Sequence, residues 1–463
     1  MEYRRKLNYF FAIISIVYLF LILPCHIPAY FPMAIDSGSY GYVGQELNRG
    51  KLLYKEVTGI TFPAIYYIHY WIFKIFPDSR WTLYFVDIFV NILLLFFIYL
   101  IFKNFKQESF FWLISILFTT CYRVYISFRG GNFCEHFFLL FYFLSFSLLV
   151  SSPSPIKDFI LGISFVFLFM FKQTFILFTI PLLIFYYKRV KKSNFFYLGF
   201  ILGFSFFLIV FIRGFPESII DTILFPLGFS NHLAKTKKWA NCLARIKPFI
   251  FDGPGVQFSF IFLISLFIKD KLKFLLVSSA FASFIIYFLS PWGDVHYLIP
   301  LIIPIVIGSI IITKNLSEKF VIPLILVLSF FPLRPIYARI GHSRNAIKMV
   351  LVKRDLRIVA NPIITPQIIK NLNGNETFIM IPSDPTVYFL TKTQSPFRFY
   401  GFYCALPFYK EELKKLIREK PPDYVYLDRD IKEFEETFSL TADEYILKKI
   451  DTSLYRFILV KKN

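Results

Sequence analysis

The chain has 463 residues, of which 56% are hydrophobic and 17% are charged. Soluble domains are about 45–50% apolar, so this excess, which includes 63 Phe, excludes an ordinary soluble protein. The formal net charge of +21 does not indicate nucleic-acid binding, because the Lys and Arg residues lie mainly in short connections between apolar runs, where they signal topology.

The N-terminal segment is expected to be retained as a first span. Its apolar run begins at Leu7 and is followed by PCHIPAYFP instead of the small-residue site at which a signal peptide is cleaved. The five cysteines are far apart and form no CxxC pair, so neither a disulfide framework nor a zinc site is predicted. They are Cys25, Cys121, Cys134, Cys242 and Cys404.

Long apolar stretches recur over the first 333 residues, and they approach the length needed to cross a hydrocarbon core of about 30 Å. Placing the most basic connections in the cytoplasm predicts about eleven spans, with the N-terminus inside. The predicted spans are residues 7–24, 80–102, 109–127, 134–151, 158–171, 173–187, 194–212, 256–268, 274–290, 297–313 and 319–333.

Two segments need separate treatment. The run from Ala64 to Phe76 carries His69 and Lys74 and is only about 20 Å long as a helix, so we expect it to lie at the interface without crossing. The stretch 158–187 is too long for one upright helix and has Lys172 at its middle. It is predicted to form two short helices that meet near the outer face.

The composition changes near Arg334 to a mixed, partly charged segment. Helix-like NAIKMVLVKRDLRIVA and YKEELKKLIREK alternate there with strand-like TFIMIP, DYVYLD and LYRFILV, a pattern that favours a small α/β domain. We therefore predict a polytopic α-helical catalytic domain over residues 1–333, with a first external loop at about 25–79, and an extracytoplasmic α/β domain over residues 334–463.

Four ionisable residues from separate connections are all assigned to the outer membrane boundary, where such groups are costly and often functional. They are Asp36, Glu135, Lys172 and His296. Asp36 begins a segment in which Tyr40, Val43 and Leu47 share one face, the pattern of a helix lying on the membrane surface. Its structural alternative is capping of that helix.

The other three residues also have structural alternatives. Glu135 starts a helix, where the macrodipole favours a carboxylate. Lys172 has apolar flanks on both sides, so it either snorkels to the boundary or pairs with a phosphate. Arg129 either assists it or anchors a helix end. His296 and its neighbour Tyr297 are typical of interfacial anchors.

The order DSGSY, GKLLY and TFPAIYY after the first span resembles the first external loop of GT-C polytopic glycosyltransferases. Within that superfamily the loop is most similar to family 39, which contains protein mannosyltransferases and lipid A aminoarabinose transferases. Glu135, the FKQ around Lys172 and HYLIPLIIP are similar to further family motifs, and DPTVYFLTKTQSPFRFY and KPPDYVYLD resemble the external domain of bacterial members. The chain departs from the family at Phe62-Pro63, where two prolines are frequent, and at Glu135, where Asp is frequent.

The resemblance implies an inverting transfer of a sugar from a polyprenyl-phosphate donor to a lipid, glycan or protein acceptor of the cell envelope. Asp36 would be the general base, and Glu135 would orient the acceptor or bind an ion, so a divalent cation is left open as cofactor. Lys172 and Arg129 would hold the donor phosphate. The remaining candidates for substrate contact are Tyr40, Tyr54, His296 and Tyr297.

The main alternative is a transporter or flippase of lipid-linked glycans, which would also have many spans and intramembrane charges. A glycan polymerase or ligase is a second alternative, but it would concentrate polar residues in a late loop. A nucleotide-sugar donor is disfavoured because no Gly-rich phosphate loop follows a strand. The Phe, Ile and Lys bias favours a bacterial plasma (inner) membrane, so membrane lipids are expected partners and nucleic acid is not.

Overall fold

The computed structural model describes most of the first 348 residues and parts of the remainder. The described residues are 9–10, 12–17, 27–28, 34–112, 114–115, 131–224, 226, 244, 246, 254–289, 295–330, 333–348, 350, 377–381, 385–398, 415, 418–427, 445–449 and 457–461.

The described part of the chain is mostly helical. Its first nine helices are α1 Ile35–Asn48, α2 Ala64–Ile75, α3 Arg80–Asn104, α4 Cys134–Val150, α5 Pro155–Phe171, α6 Ile176–Phe185, α7 Tyr187–Val190, α8 Asn194–Arg213 and α9 Glu217–Ile219. The next six are α10 Pro254–Phe267, α11 Lys273–Leu289, α12 Ile302–Asn315, α13 Glu318–Phe330, α14 Leu333–Ile347 and α15 Pro385–Thr391. Short 3-10 turns occupy Glu108–Phe110, Gln173–Phe175 and Val295–Leu301, and Ile220–Leu224 forms a π turn.

Three of the helical stretches are long and apolar enough to cross a membrane, namely Arg80–Asn104, Asn194–Arg213 and His296–Asn315. Shorter apolar helices lie at Cys134–Val150, Gln173–Phe185, Gly255–Phe267 and Lys273–Leu289. All seven coincide with predicted spans within a few residues, as expected for a polytopic α-helical membrane protein. The predicted total of about eleven stays a prediction, and the spans at 7–24 and 109–127 fall largely outside the described residues.

Burial separates an interior span from a peripheral one. In His296–Asn315, 89% of the residues in an apolar stretch of 18 are buried inside the protein, whereas in Asn194–Arg213 the corresponding share is only 22%. A helix that exposes so much apolar surface is stable only where its surroundings are also apolar. The exposed side of α8 is therefore a lipid-facing surface.

The chain divides into two compact units that do not follow the order of the sequence. Unit 1 consists of Met1–Tyr30, Tyr84–Phe207 and Ser230–Leu356, and unit 2 consists of Phe31–Leu83, Leu208–Phe229 and Arg357–Asn463. Unit 2 thus unites most of the predicted first external loop with most of the C-terminal segment. The functional division into residues 1–333 and 334–463 is not tested by this packing and stays a prediction.

Two glycines allow helices α5 and α8 to pack closely in unit 1. A Cβ atom added at Gly162 of α5 would lie 2.1 Å from the Phe196 carbonyl oxygen, and one added at Gly199 of α8 would lie 2.1 Å from the Phe159 carbonyl oxygen. Small residues of this kind let two membrane helices touch through their backbones, where no hydrophobic force drives them together.

Helix α1 is the centre of unit 2. A Cβ atom at Gly44 would lie 2.7 Å from the His69 Cβ of α2, and one at Gly38 would lie 2.3 Å from the Thr386 Cγ2 of α15. With α2 and α15 packed this closely, Gln45 and Glu46 are only 2% and 0% exposed. The sequence predicts a helix here correctly, whereas the burial of Gln45 and Glu46 was not predicted.

The described strands of unit 2 form one four-stranded sheet. The strands are β1 Phe378–Ile381, β2 Tyr424–Leu427, β3 Tyr445–Lys449 and β4 Phe457–Lys461, in the order β1-β2-β4-β3. β1 and β2 are parallel, and the other two pairings are antiparallel. The predicted segments TFIMIP and DYVYLD contain β1 and β2, and LYRFILV covers all of β4 except its last residue, Lys461, whereas β3 was not predicted.

The two predicted C-terminal helices are only partly described. NAIKMVLVKRDLRIVA overlaps the end of α14 and then leaves the described residues, as does most of YKEELKKLIREK. The hydroxyl of Tyr388 in α15 donates a hydrogen bond of 2.9 Å to the Phe378 carbonyl of β1, which joins that helix to the sheet. A separate extracytoplasmic domain stays a prediction.

The burial of His69 predicts that acid lowers the stability of this fold. Its ring is fully buried, with Nδ1 2.9 Å from the Ile65 carbonyl oxygen, and burial lowers the pKa of His69 from 6.5 to about 4. The unfolded chain therefore binds the proton more readily. The stability that neutral His69 contributes, about 3 kcal/mol for such a shift, is present above pH 6.5 and is lost as the pH falls towards 4.

The measurement is the melting temperature of the detergent-solubilised protein against pH. We expect His69→Gln to flatten the acid limb of the profile, while His342→Gln, a change at a half-buried histidine of α14, leaves that limb unchanged. An identical acid limb in wild type and His69→Gln contradicts this account.

Candidate functional site

An ion pair between Glu135 and Lys172 joins two helical segments of unit 1. The Lys172 Nζ lies 3.0 Å from the Glu135 Oε1, and the two side chains are 16% and 2% exposed. A buried charge requires a partner of opposite sign, because water no longer stabilises it. The sequence indicated that Lys172 needs a counter-charge, and within the described residues Glu135 supplies one.

Local backbone structure fixes both partners. Lys172 has an extended conformation (φ −159°, ψ 140°) between α5 and the turn Gln173–Phe175, so the predicted break in the helix is present at this residue. Glu135 lies in the first turn of α4, where the helix dipole favours a carboxylate. The Cys134 thiol also donates to the Phe171 carbonyl over 3.2 Å, which ties the start of α4 to the end of α5.

Aromatic rings surround the ammonium group. The Lys172 Nζ is 4.1 Å from the centre of the Tyr297 ring and 5.9 Å from that of Phe175. His296 stacks on Phe133 at 5.2 Å and contacts Tyr297 at 4.1 Å. A cation beside an aromatic face gains electrostatic energy. The structure therefore brings together four residues that the sequence singled out, namely Glu135, Lys172, His296 and Tyr297.

Asp87 belongs to the same region and was missed in the sequence analysis. It lies in α3 and is 2% exposed, and the Asn91 side-chain amide donates to its backbone carbonyl at 2.5 Å and to its Oδ1 at 3.3 Å. A Cβ atom at Gly131, which has φ +67°, would lie 2.0 Å from the Asp87 Oδ1, so glycine is required there. An acidic residue within the apolar run YFVDIFVNILL was the available signal.

The remaining candidates that are described lie in unit 2. Asp36 is half-buried in the first turn of α1, two positions after the N-cap Ala34, where the helix dipole favours a carboxylate. Tyr40 packs against Tyr66 and His69, with ring centres 5.7 and 6.1 Å away.

Tyr54 has an environment that favours a structural role. Its side chain is fully buried, its φ is +70°, and its hydroxyl donates to the Thr61 carbonyl over 2.9 Å. Burial raises the pKa of Tyr54 well above 10, so the hydroxyl stays protonated. Contact with a substrate would require this arrangement to open, and that role stays a prediction.

Two further predictions remain without structural evidence. Arg129 lies outside the described residues. The described residues contain no group of three or more His, Cys, Asp and Glu side chains that could hold a metal ion. A divalent cation is therefore neither supported nor contradicted.

The comparisons with known proteins concern the fold. No protein-family model matches the sequence, and no curated protein matches it. Two solved structures of ArnT from Cupriavidus metallidurans do match. The one bound to undecaprenyl phosphate is 10% identical, with 97% of each chain covered and a TM-score of 0.57. The one in the apo state is 11% identical, with 98% of each chain covered and a TM-score of 0.55.

These neighbours are aminoarabinose transferases of the GT-C superfamily. The likeness extends over nearly the whole of both chains, and it confirms the GT-C-like fold that the sequence resemblance implied.

The Glu135–Lys172 pair predicts an asymmetric response to mutation. Lys172→Met leaves a buried carboxylate without its cation, which typically costs about 3–5 kcal/mol. Adding Glu135→Gln removes that charge, so we expect the double variant to recover most of the melting temperature lost in the single variant.

The control is Lys392→Met, which breaks the exposed pair between Lys392 and Asp78, whose side chains are 56% and 33% exposed. Such surface pairs contribute about 0–1 kcal/mol. A Lys172→Met variant that melts as close to wild type as Lys392→Met contradicts a stabilising role for the buried pair.

Proposed function

We propose that this chain is a membrane glycosyltransferase that moves a sugar from a polyprenyl-phosphate donor to an envelope acceptor at the extracytoplasmic face of a bacterial inner membrane. The observation that carries the proposal is the shared fold, over 97% of each chain, with ArnT bound to undecaprenyl phosphate. The resemblance of DSGSY and the motifs around Glu135 and Lys172 to family 39 enzymes supports the same reaction.

Lys172 is our candidate for holding the donor phosphate. An ammonium group has three N–H donors, and Glu135 accepts one of them. A phosphate oxygen would accept another, and the hydrogen bond between two charged groups would be short and strong. Arg129 would add a second cation. In a site that excludes water, stabilising the charge that develops on the leaving phosphate is a large part of catalysis.

Asp36 is our candidate for the general base. It would take the proton from the acceptor hydroxyl or amine as that group attacks the anomeric carbon. The bond between the anomeric carbon and the phosphate oxygen would break on the opposite side, with inversion, and polyprenyl phosphate would leave. Tyr40, Tyr54, His296 and Tyr297 stay candidates for contact with the substrates, and Glu135 for orienting the acceptor.

The fold does not specify which sugar is transferred or which acceptor receives it. A transporter of lipid-linked glycans is the main alternative. It would move its cargo without breaking the anomeric bond, so release of free polyprenyl phosphate separates the two functions.

Asp36→Asn tests the base. The amide keeps the size of the side chain and cannot accept the proton, so we expect transfer to fall about 100-fold to 10,000-fold while the melting temperature stays near wild type. The assay measures release of undecaprenyl phosphate from a panel of labelled undecaprenyl-phosphate hexoses and pentoses, with host-cell membranes as the source of acceptor.

Glu108→Gln is the matched control, because it makes the same carboxylate-to-amide change at an exposed acidic residue of unit 1, outside the unit that contains Asp36. We expect it to keep full activity. Wild-type transfer by a folded Asp36→Asn variant rules out the proposed mechanism.

Lys172 is tested by binding of undecaprenyl phosphate without a sugar. Because Lys172→Met alone strands the Glu135 carboxylate, the comparison uses the Glu135→Gln background. We expect Glu135→Gln/Lys172→Met to bind about 10-fold to 100-fold more weakly than Glu135→Gln, since a hydrogen bond between charged groups contributes about 1.5–3 kcal/mol. Equal affinity of these two variants removes Lys172 from the phosphate site.

A further inference from the structure

The C-terminal segment 385–398 packs along the helix that carries Asp36. Its first part, α15, lies against the face of α1 that carries Gly38 and Gly41, which we call the glycine face. Gly38, two positions after Asp36, faces Thr386, and a Cβ atom at Gly41 would lie 2.9 Å from two carbons of the Phe389 ring. Thr386 and Phe389 are each 2% exposed, so this contact excludes water.

Hydrogen bonds repeat the attachment farther along α1. The Ser395 backbone N–H donates to the Tyr42 hydroxyl over 2.7 Å, and the Gln45 side-chain amide donates to the Phe389 carbonyl over 3.2 Å. Tyr42 is 1% exposed and Gln45 2% exposed. Buried donors and acceptors that lose their partners are costly, so α1 cannot slide along the segment without a large loss of energy.

Arg398 fixes the loop that follows α1. Its Nη1 donates to the Tyr54 carbonyl over 2.9 Å and lies 3.2 Å from the Asp221 Oδ2. The Arg398 carbonyl accepts from the Thr58 N–H over 3.0 Å. Arg398 is 10% exposed and Asp221 0% exposed, so the three chain segments of unit 2 meet at a buried ion pair.

We infer that segment 385–398 is a positioning element for Asp36, through its contacts with Tyr42 and the glycine face of α1. The inference rests on the proposed function, since it assigns the segment a part in the reaction of Asp36. A general base must hold its oxygen within hydrogen-bonding reach of the proton it removes. A displacement of about 1 Å reduces a rate by up to about 100-fold. Segment 385–398 contacts α1 close to Asp36, at Gly38, so it would prevent such a displacement.

Tyr42→Phe is the first test, because it removes the hydroxyl that accepts the Ser395 N–H bond and keeps the aromatic ring in place. We expect kcat for the labelled undecaprenyl-phosphate sugar to fall about tenfold or more, with the KM for that donor and the affinity for undecaprenyl phosphate unchanged. Tyr142→Phe makes the same change at a tyrosine of α4 that is also 1% exposed, and it should change neither constant.

Gly41→Ala and its suppressor are the second test. The three atoms nearest to the added methyl group are ring atoms of Phe389, so Gly41→Ala should lower kcat and Phe389→Leu in the same chain should restore part of it. Gly341→Ala is the control, since no atom lies within 4 Å of the added Cβ there. Because relief of the clash would also restore a destabilised fold, the melting temperature is measured beside kcat, and a change in kcat at an unchanged melting temperature supports the positioning role.

The outcomes separate the two proposals. If Asp36→Asn is inactive while folded Tyr42→Phe keeps the wild-type kcat, the reaction stands and the positioning role is rejected. If Asp36→Asn is fully active, the proposed mechanism itself fails. If Gly41→Ala does not fold, Tyr42→Phe alone decides, and a melting temperature measured for every variant shows which protein is folded.

Discussion

A buried ammonium group needs a counter-charge, and the pairing of Lys172 with Glu135 imposes the central constraint on unit 1. The 3.0 Å contact brings the first turn of α4 to the extended residue that separates α5 from the following turn. Phe133, His296 and Tyr297 then fill the space around the charges. Because the pair carries no net charge, an incoming phosphate would need to compete with Glu135 or to gain a further cation.

The candidate residues divide between the units according to their chemistry. The general-base candidate, Asp36, lies in unit 2 at the start of α1, the helix that packs against α2 and α15. The candidates for anion binding that the structure describes lie in unit 1 among apolar helices.

Positions of helices and the convergence of charges could be predicted from the sequence, because both follow from local apolar length and from the side of each basic loop. The break at Lys172 and its proximity to His296 and Tyr297 are examples. Asp87 was recognisable as an acidic residue within an apolar run, but its contact with Gly131 could not be predicted, since Gly131 follows 44 positions later in the sequence. The burial of Gln45 and Glu46 was missed for the same reason, because α15 is remote in sequence.

The long sequence distance within unit 2 also governs how the protein is made. Gln45 and Phe389, which share a hydrogen bond, are 344 positions apart, and a ribosome adding about 5–20 residues per second needs roughly 20–70 s to bridge that interval. During this time the Asp36 helix has emerged while one of its two packing partners has not been synthesised. A prematurely terminated chain would insert its early spans and still lack the contacts of α15, so truncated products of translation would remain in the bilayer without an assembled unit 2.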